Sequence, residues 1–294
     1  MYKLLKYLLG ILFIFNGNIY AEVVWEIGSN NNSSADLALG PSDYKNFLSN
    51  DFGFEDRYYL IGESSPKTDF PYVLPGPNDT WGGTWGTAGW RTHEVNILFG
   101  IKDLPAGKWK LVIDLIDSNP DKSLVKVTIN DQSAKFLLKG KSNESIDGTI
   151  DQGAENILEI PVDEGAIKEG GNCVTITILE GSWIVFDAIR MEGPKGVVLY
   201  KNKAGFVRNV EAADYEIAKG HTNFQPLLVD VEHLSGSPVL QVLLDERAIY
   251  STQLDTGRYQ IEVPMPAVSK EKRSNYQILI DGEEVQTGDI VRAQ

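Results

Sequence analysis

Strict alternation of apolar and polar residues, repeated in short runs, is the feature that most constrains this chain. Between His93 and Phe99, the side chains of Val95, Ile97 and Phe99 fall on one face, and Trp109, Leu111, Ile113 and Leu115 follow the same rule. Val125, Val127 and Ile129 repeat it before an Asn130-Asp131 turn that leads into Lys135 to Leu138. Val174, Ile176 and Ile178 share a face opposite Cys173, Thr175 and Thr177. A period of two places successive side chains on opposite faces of a strand, and Gly, Pro, Asn and Asp punctuate the runs. Only two short helices are expected. One follows Ser42 over Asp43 to Leu48, and the other spans Asp163 to Lys168 and is ended by Gly170-Gly171. Many short strands with so few helices predict an all-β chain of sandwiches or jelly rolls.

Met191-Glu192-Gly193-Pro194-Lys195-Gly196 reads as a domain boundary, after the apolar strand Trp183 to Ile189. The alternation then restarts at Leu227, Val229 and Val231, and continues through Val239 to Leu244, Ile249 to Leu254, and Tyr259, Ile261 and Val263. Tyr276, Ile278 and Ile280 lead into Asp281-Gly282, a strong hairpin signal. The expected layout is a domain over residues 22–194 and a small immunoglobulin-like sandwich over 197–294. Gly140 to Asn156 is polar and reads as a loop.

The N-terminus predicts export. Lys3 and Lys6 precede an apolar run from Tyr7 to Phe15, too short for the ~20 residues that a membrane span requires. Ile19-Tyr20-Ala21 is an acceptable cleavage site, so residues 1–21 read as a signal peptide and the mature protein as periplasmic or extracellular, without membrane insertion. Enough chain remains for two domains with their own cores. Cys173 is the only cysteine, so no internal disulfide can form and stability must come from core size. Removing residues 1–21 makes the remainder two charges more negative than the −14 of the whole chain. Such acidity repels phosphate backbones and anionic lipid, which argues against nucleic acid and membrane surfaces as partners. It leaves neutral sugars open.

The segment Gly62 to His93 carries the chemistry that stands out. It holds Asp69-Phe70-Pro71-Tyr72 and Pro75-Gly76-Pro77, then Asp79, Trp81-Gly82-Gly83-Thr84-Trp85 and Trp90-Arg91-Thr92-His93. Three of the six tryptophans of the chain fall within ten positions, among glycines and prolines. Indoles are costly to leave exposed, because each offers a large apolar area. Two readings follow. The aromatics plug one end of a sandwich, or they form a platform on which the C–H face of a sugar stacks while Asp69, Asp79, Arg91 and His93 bond its hydroxyls. On the second reading the ligand-binding set is Asp69, Tyr72, Asp79, Trp81, Trp85, Trp90, Arg91 and His93.

Catalytic patterns are weak. The three histidines, His93, His221 and His233, form no pair at metal-binding spacing, and neither a Gly-x-Ser-x-Gly elbow nor a phosphate loop is present. Glu55-Asp56 and Asp163-Glu164 are adjacent only in sequence, although carboxylates brought across a cleft by folding remain an alternative. No metal site and no cofactor are expected. Asp187, unusual inside an apolar strand, either bonds backbone groups at a sheet end or holds a structural cation such as calcium.

Several segments resemble landmarks of one family. Trp25-Glu26-Ile27-Gly28, Tyr59-Leu60-Ile61-Gly62 and Asp69-Phe70-Pro71-Tyr72, with Gly170-Gly171-Asn172-Cys173-Val174-Thr175-Ile176 and Phe186-Asp187-Ala188-Ile189-Arg190-Met191-Glu192, resemble the carbohydrate-binding-like domain III of family 4 rhamnogalacturonan lyases. The resemblance spans roughly residues 22 to 194 and implies a galactose-binding-like jelly roll. In those lyases the catalytic Lys/His machinery lies in a separate domain. The resemblance therefore implies a non-catalytic accessory module acting on a pectic or related plant polysaccharide. Pro226-Leu227-Leu228-Val229-Asp230-Val231-Glu232-His233-Leu234 resembles the small sandwich spacers of large polysaccharide-degrading enzymes, notably in Bacteroidetes. A catalytic domain or a partner enzyme is then an expected companion, and the chain reads as a stand-alone binder or as the front of a larger enzyme. The alternatives are lyase or hydrolase activity of its own, and a structural protein of the envelope.

Overall fold

The computed structural model describes residues 22–50, 57–83, 92–163, 165–201, 205–233 and 236–292, and within it the chain forms two β-sandwiches in sequence. The expected export segment, 1–21, lies outside the described residues.

In the first sandwich, one sheet runs Glu22–Gly28, Trp183–Gly193, Trp109–Ser118, Asn156–Val162, with Val73–Pro75 on the far end of Trp183–Gly193. The facing sheet runs Val198–Leu199, Glu94–Asp103, Gly170–Glu180, Ser123–Ile129, Gln132–Leu138. Arg57–Leu60 joins that sheet beside Glu94–Asp103 in the parallel sense. The alternating residues of the sequence meet between the sheets, where Ile97, Phe99, Leu111, Ile113, Val127, Ile176 and Phe186 are buried. Trp25, Trp109 and Trp183 belong to the same core. Burying each large apolar side chain of this kind contributes about 1.5–3 kcal/mol.

The second sandwich pairs two four-stranded sheets. One holds Gly205–Ala212, Thr222–His233, Ile217–Lys219 and Gly257–Pro266, and the other Arg247–Gln253, Val239–Leu244, Lys272–Ile280 and Glu283–Arg292. Leu227, Val229, Val231, Leu240, Val242, Ile261, Val263 and Ile278 fill its core. Asp281 and Gly282 take φ of 48° and 81°, the left-handed pair that a tight two-residue hairpin requires.

The helix expectations are corrected. The helix expected over 43–48 is two short 3₁₀ turns, Tyr44–Asn46 and Leu48–Asn50. The helix expected over 163–168 is absent from the described residues. There the Asn172 amide bonds both the N–H and the carbonyl of Lys168, which holds a turn in place of a helix. A helix that was not expected, Pro66–Asp69, follows Ser65. The first sandwich also continues past 194. Val198–Leu199 pairs with Glu94–Asp103, and the N–H of Tyr200 bonds the carbonyl of Gly100 at 2.9 Å.

Leu98 breaks the alternation of its strand, and the second sandwich explains why. Leu98 and Leu60 lie on the outer face of the first sandwich, where Phe206 of the second covers them. Beside this plug, a Cβ on Gly171 would stand 2.3 Å from the carbonyl oxygen of Val207, so only glycine allows the two backbones to approach this closely. Tyr200 accepts from the N–H of Thr287 at 3.1 Å, and Lys102 pairs with Glu284 at 2.8 Å, tying the sandwiches together at a second place.

Candidate functional site

The described part of the aromatic segment is held down by its own bonds. Asp79 is buried, and its Oδ1 accepts from the backbone N–H groups of Trp81, at 2.8 Å, and of Gly82. His93 is also buried, and its Nε2 lies 2.6 Å from the carbonyl oxygen of Gly82. A carbonyl only accepts, so Nε2 carries the proton and is committed to the loop. The ring of His93 meets Phe47 edge-on at 5.6 Å. Tyr72 is fully buried and its hydroxyl donates to the carbonyl of Ile146 at 2.6 Å, which pins the 140–156 loop at Ser145–Asp147. Burial pushes the Tyr72 hydroxyl well above its ordinary range, so it stays a neutral donor.

These placements give Tyr72, Asp79 and His93 internal work; a buried ring has no face for a sugar and a bonded carboxylate serves the turn. Asp69 is partly exposed, and its Oδ2 accepts from the N–H of Ser65 at 2.7 Å. Trp81 is different. Its indole is only partly buried, braced edge-on by Tyr44 at 5.0 Å and by Phe47 at 5.8 Å. It is a fixed aromatic surface at the end of the sandwich, made by the packing that also closes that end. Trp85, Trp90 and Arg91 lie outside the described residues.

Asp187, inside the Trp183–Gly193 strand, holds the loop that follows Glu22–Gly28. Its carboxylate accepts from the backbone N–H groups of Asn31, Asn32 and Ser33, the backbone role considered for it from sequence. Asp114 lies close by and takes a hydrogen bond from the Asn30 amide at 3.0 Å. Burial, then the Asp187 charge and that of Glu155, push its pKa up to about 6, against a smaller opposing effect of Arg190.

A second surface was not legible in the sequence. Where the sandwiches meet, they enclose a cleft of about 620 Å³. Its first wall is the outer face of the Glu94–Asp103 and Gly170–Glu180 strands, presenting Asn96 and Thr175, and its other wall presents Asp230, Arg258, Tyr259 and Gln260. The polar outer face was visible as Cys173, Thr175 and Thr177, but what stands opposite it depends on how the domains dock.

Among solved structures, the chain is similar to a GH2 beta-galacturonidase from Eisenbergiella tayi bound to galacturonate, at 9% identity and a TM-score of 0.26, over 72% of this chain and 37% of that one. It is similar to a beta-D-mannosidase from Dictyoglomus thermophilum at 10% identity and a TM-score of 0.24, over 74% of this chain and 31% of that one. It is also similar to a glycosyl hydrolase family 2 member from Bacteroides cellulosilyticus, at 11% identity and a TM-score of 0.24, over 67% and 26%. The chain thus spans roughly a third of the length of these structures. No curated protein matches it. The family described as CBM-like, polysaccharide lyase family 4, domain III, matches residues 23–191, which include the first sandwich up to its Val198–Leu199 edge strand, the Trp81 surface and the Asp187 cap. The chain therefore belongs to the carbohydrate-binding-like domain III family of polysaccharide lyase family 4.

Proposed function

We propose that this protein is an exported, non-catalytic carbohydrate-binding module that supports the breakdown of a pectic or related plant polysaccharide, alone or as the front of a larger enzyme. The observation that carries the reading is Trp81, an indole held partly exposed and rigid at the end of a sandwich of the carbohydrate-binding-like family. A braced ring loses little freedom when a sugar stacks on it, which favours binding by a shallow site. In this reading Trp85, Trp90 and Arg91, which lie outside the described residues, belong to the same ligand-binding set, and Asp69 bonds hydroxyl groups of the glycan.

Acrylamide quenching of tryptophan fluorescence tests it. Trp25, Trp109 and Trp183 are buried and supply a protected background. The reading expects an accessible fraction that a pectic polysaccharide protects and that shrinks in Trp81→Ala. An accessible fraction that no polysaccharide changes would point to an interaction or packing role instead.

A further inference from the structure

We propose that the cleft between the two sandwiches is a second carbohydrate site, which takes a short oligosaccharide and is built jointly by both domains. The inference rests on the carbohydrate-binding reading above, but it places the contact away from the aromatic loop.

Three observations support it. The first is the state of the groups that line the cleft. Asn96 is buried, and its Oδ1 accepts from the Thr175 hydroxyl at 2.7 Å, while its amide nitrogen has no partner among the described residues. Lys168 on one side and Arg258 on the other form no ion pair among the described residues. Asp230 and Gln260 are joined at 2.9 Å, a carboxylate and an amide with acceptor and donor capacity left over. A sugar hydroxyl both donates and accepts, so carboxylates, amides and cations can all serve it, and Tyr259 adds a ring beside them.

The second is rigidity. Phe206 is buried against Leu60 and Leu98, and Gly171 abuts the Val207 carbonyl, so the two walls are held at a fixed separation. Arg208, which also lines the cleft, is locked to the buried Glu232 and fixes the base of the second wall. The third is size and place. A volume of about 620 Å³ falls within the ~300–1,000 Å³ typical of small-molecule sites, which favour domain interfaces. The charges lining the cleft are mixed in a chain of net charge −14, so the cleft is less acidic than the molecule around it.

The test is calorimetric titration of the full chain with rhamnogalacturonan oligosaccharides and with neutral galacto-oligosaccharides. Thr175→Ala alters the first wall, Arg258→Ala and Gln260→Ala alter the second, and Trp81→Ala alters the loop. Each cleft variant is expected to weaken binding of at least one of the two oligosaccharide classes roughly three- to tenfold, the effect of one lost hydrogen bond. The melting temperature is expected to be unchanged in Arg258→Ala and Gln260→Ala and lowered in Thr175→Ala, which leaves the buried Asn96 Oδ1 without its hydroxyl donor. Affinity unchanged in all three cleft variants, with loss in Trp81→Ala, overturns the cleft site and leaves the loop reading standing. No binding of either class by the unaltered chain overturns both.

Discussion

The Asp187 carboxylate holds the backbone of Ser33, its Oδ1 accepting the Ser33 N–H at 2.9 Å while Oδ2 accepts those of Asn31 and Asn32 at 3.2 and 3.0 Å. The last long strand of the first sandwich thereby fixes the loop that leaves its first strand. Asp187→Ala removes an ionic acceptor from three N–H groups and is expected to lower stability by about 3 kcal/mol in urea denaturation. Asp187→Asn, which keeps one oxygen, is expected to fall between.

Asp114, beside that cap, makes stability depend on pH. Its folded pKa of about 6 lies above the ordinary 3.8, so the folded state holds the proton more tightly than the unfolded chain. This favours folding below about pH 4 and is lost as pH rises towards and through 6. Above that, the buried charge costs about 2–3 kcal/mol. Asp114→Asn is therefore expected to melt higher than the parent at pH 7.5 and to lose that advantage at pH 4.

Much of the architecture was legible because half-buried strands leave a period of two in the sequence. Val95, Ile97 and Phe99, or Val125, Val127 and Ile129, needed no tertiary information to be placed inward. The helix over 163–168 was misread because Asn172, four positions beyond Lys168, takes the Lys168 backbone groups that a helix would use. The strand Val198–Leu199 was not legible because it has no periodicity of its own and is a strand only through pairing with Glu94–Asp103. At the aromatic segment, composition gave the cluster but not the direction of each side chain. Tyr72 and His93 turn inward to carbonyl oxygens that only the folded loop supplies.

The contact between sandwiches rests on a missing Cβ. Gly171→Ala places a methyl against the Val207 carbonyl, which is backbone and cannot rotate away. The variant is expected to keep both sandwiches folded while loosening their docking. Small-angle scattering is expected to show a larger radius of gyration, and thermal unfolding is expected to lose cooperativity.

Tyr72→Phe separates packing from recognition. It deletes a hydroxyl that donates to the buried Ile146 carbonyl at 2.6 Å. Stability is expected to fall by about 1 kcal/mol in chemical denaturation, with glycan affinity unchanged because the ring has no exposed face.

Binding without turnover is the central claim, and calorimetry of the protein with rhamnogalacturonan tests it most directly when unsaturated uronides and reducing ends are followed in the same mixture. The account predicts weak saturable binding that falls roughly tenfold or more in Trp85→Ala, as loss of one stacking contact worth ~1–3 kcal/mol in the analogous base-stacking case would give, and no product with or without calcium. Sustained product formation that disappears in His93→Ala or Arg91→Ala, or affinity unchanged in Trp81→Ala, Trp85→Ala and Trp90→Ala alike, would contradict it.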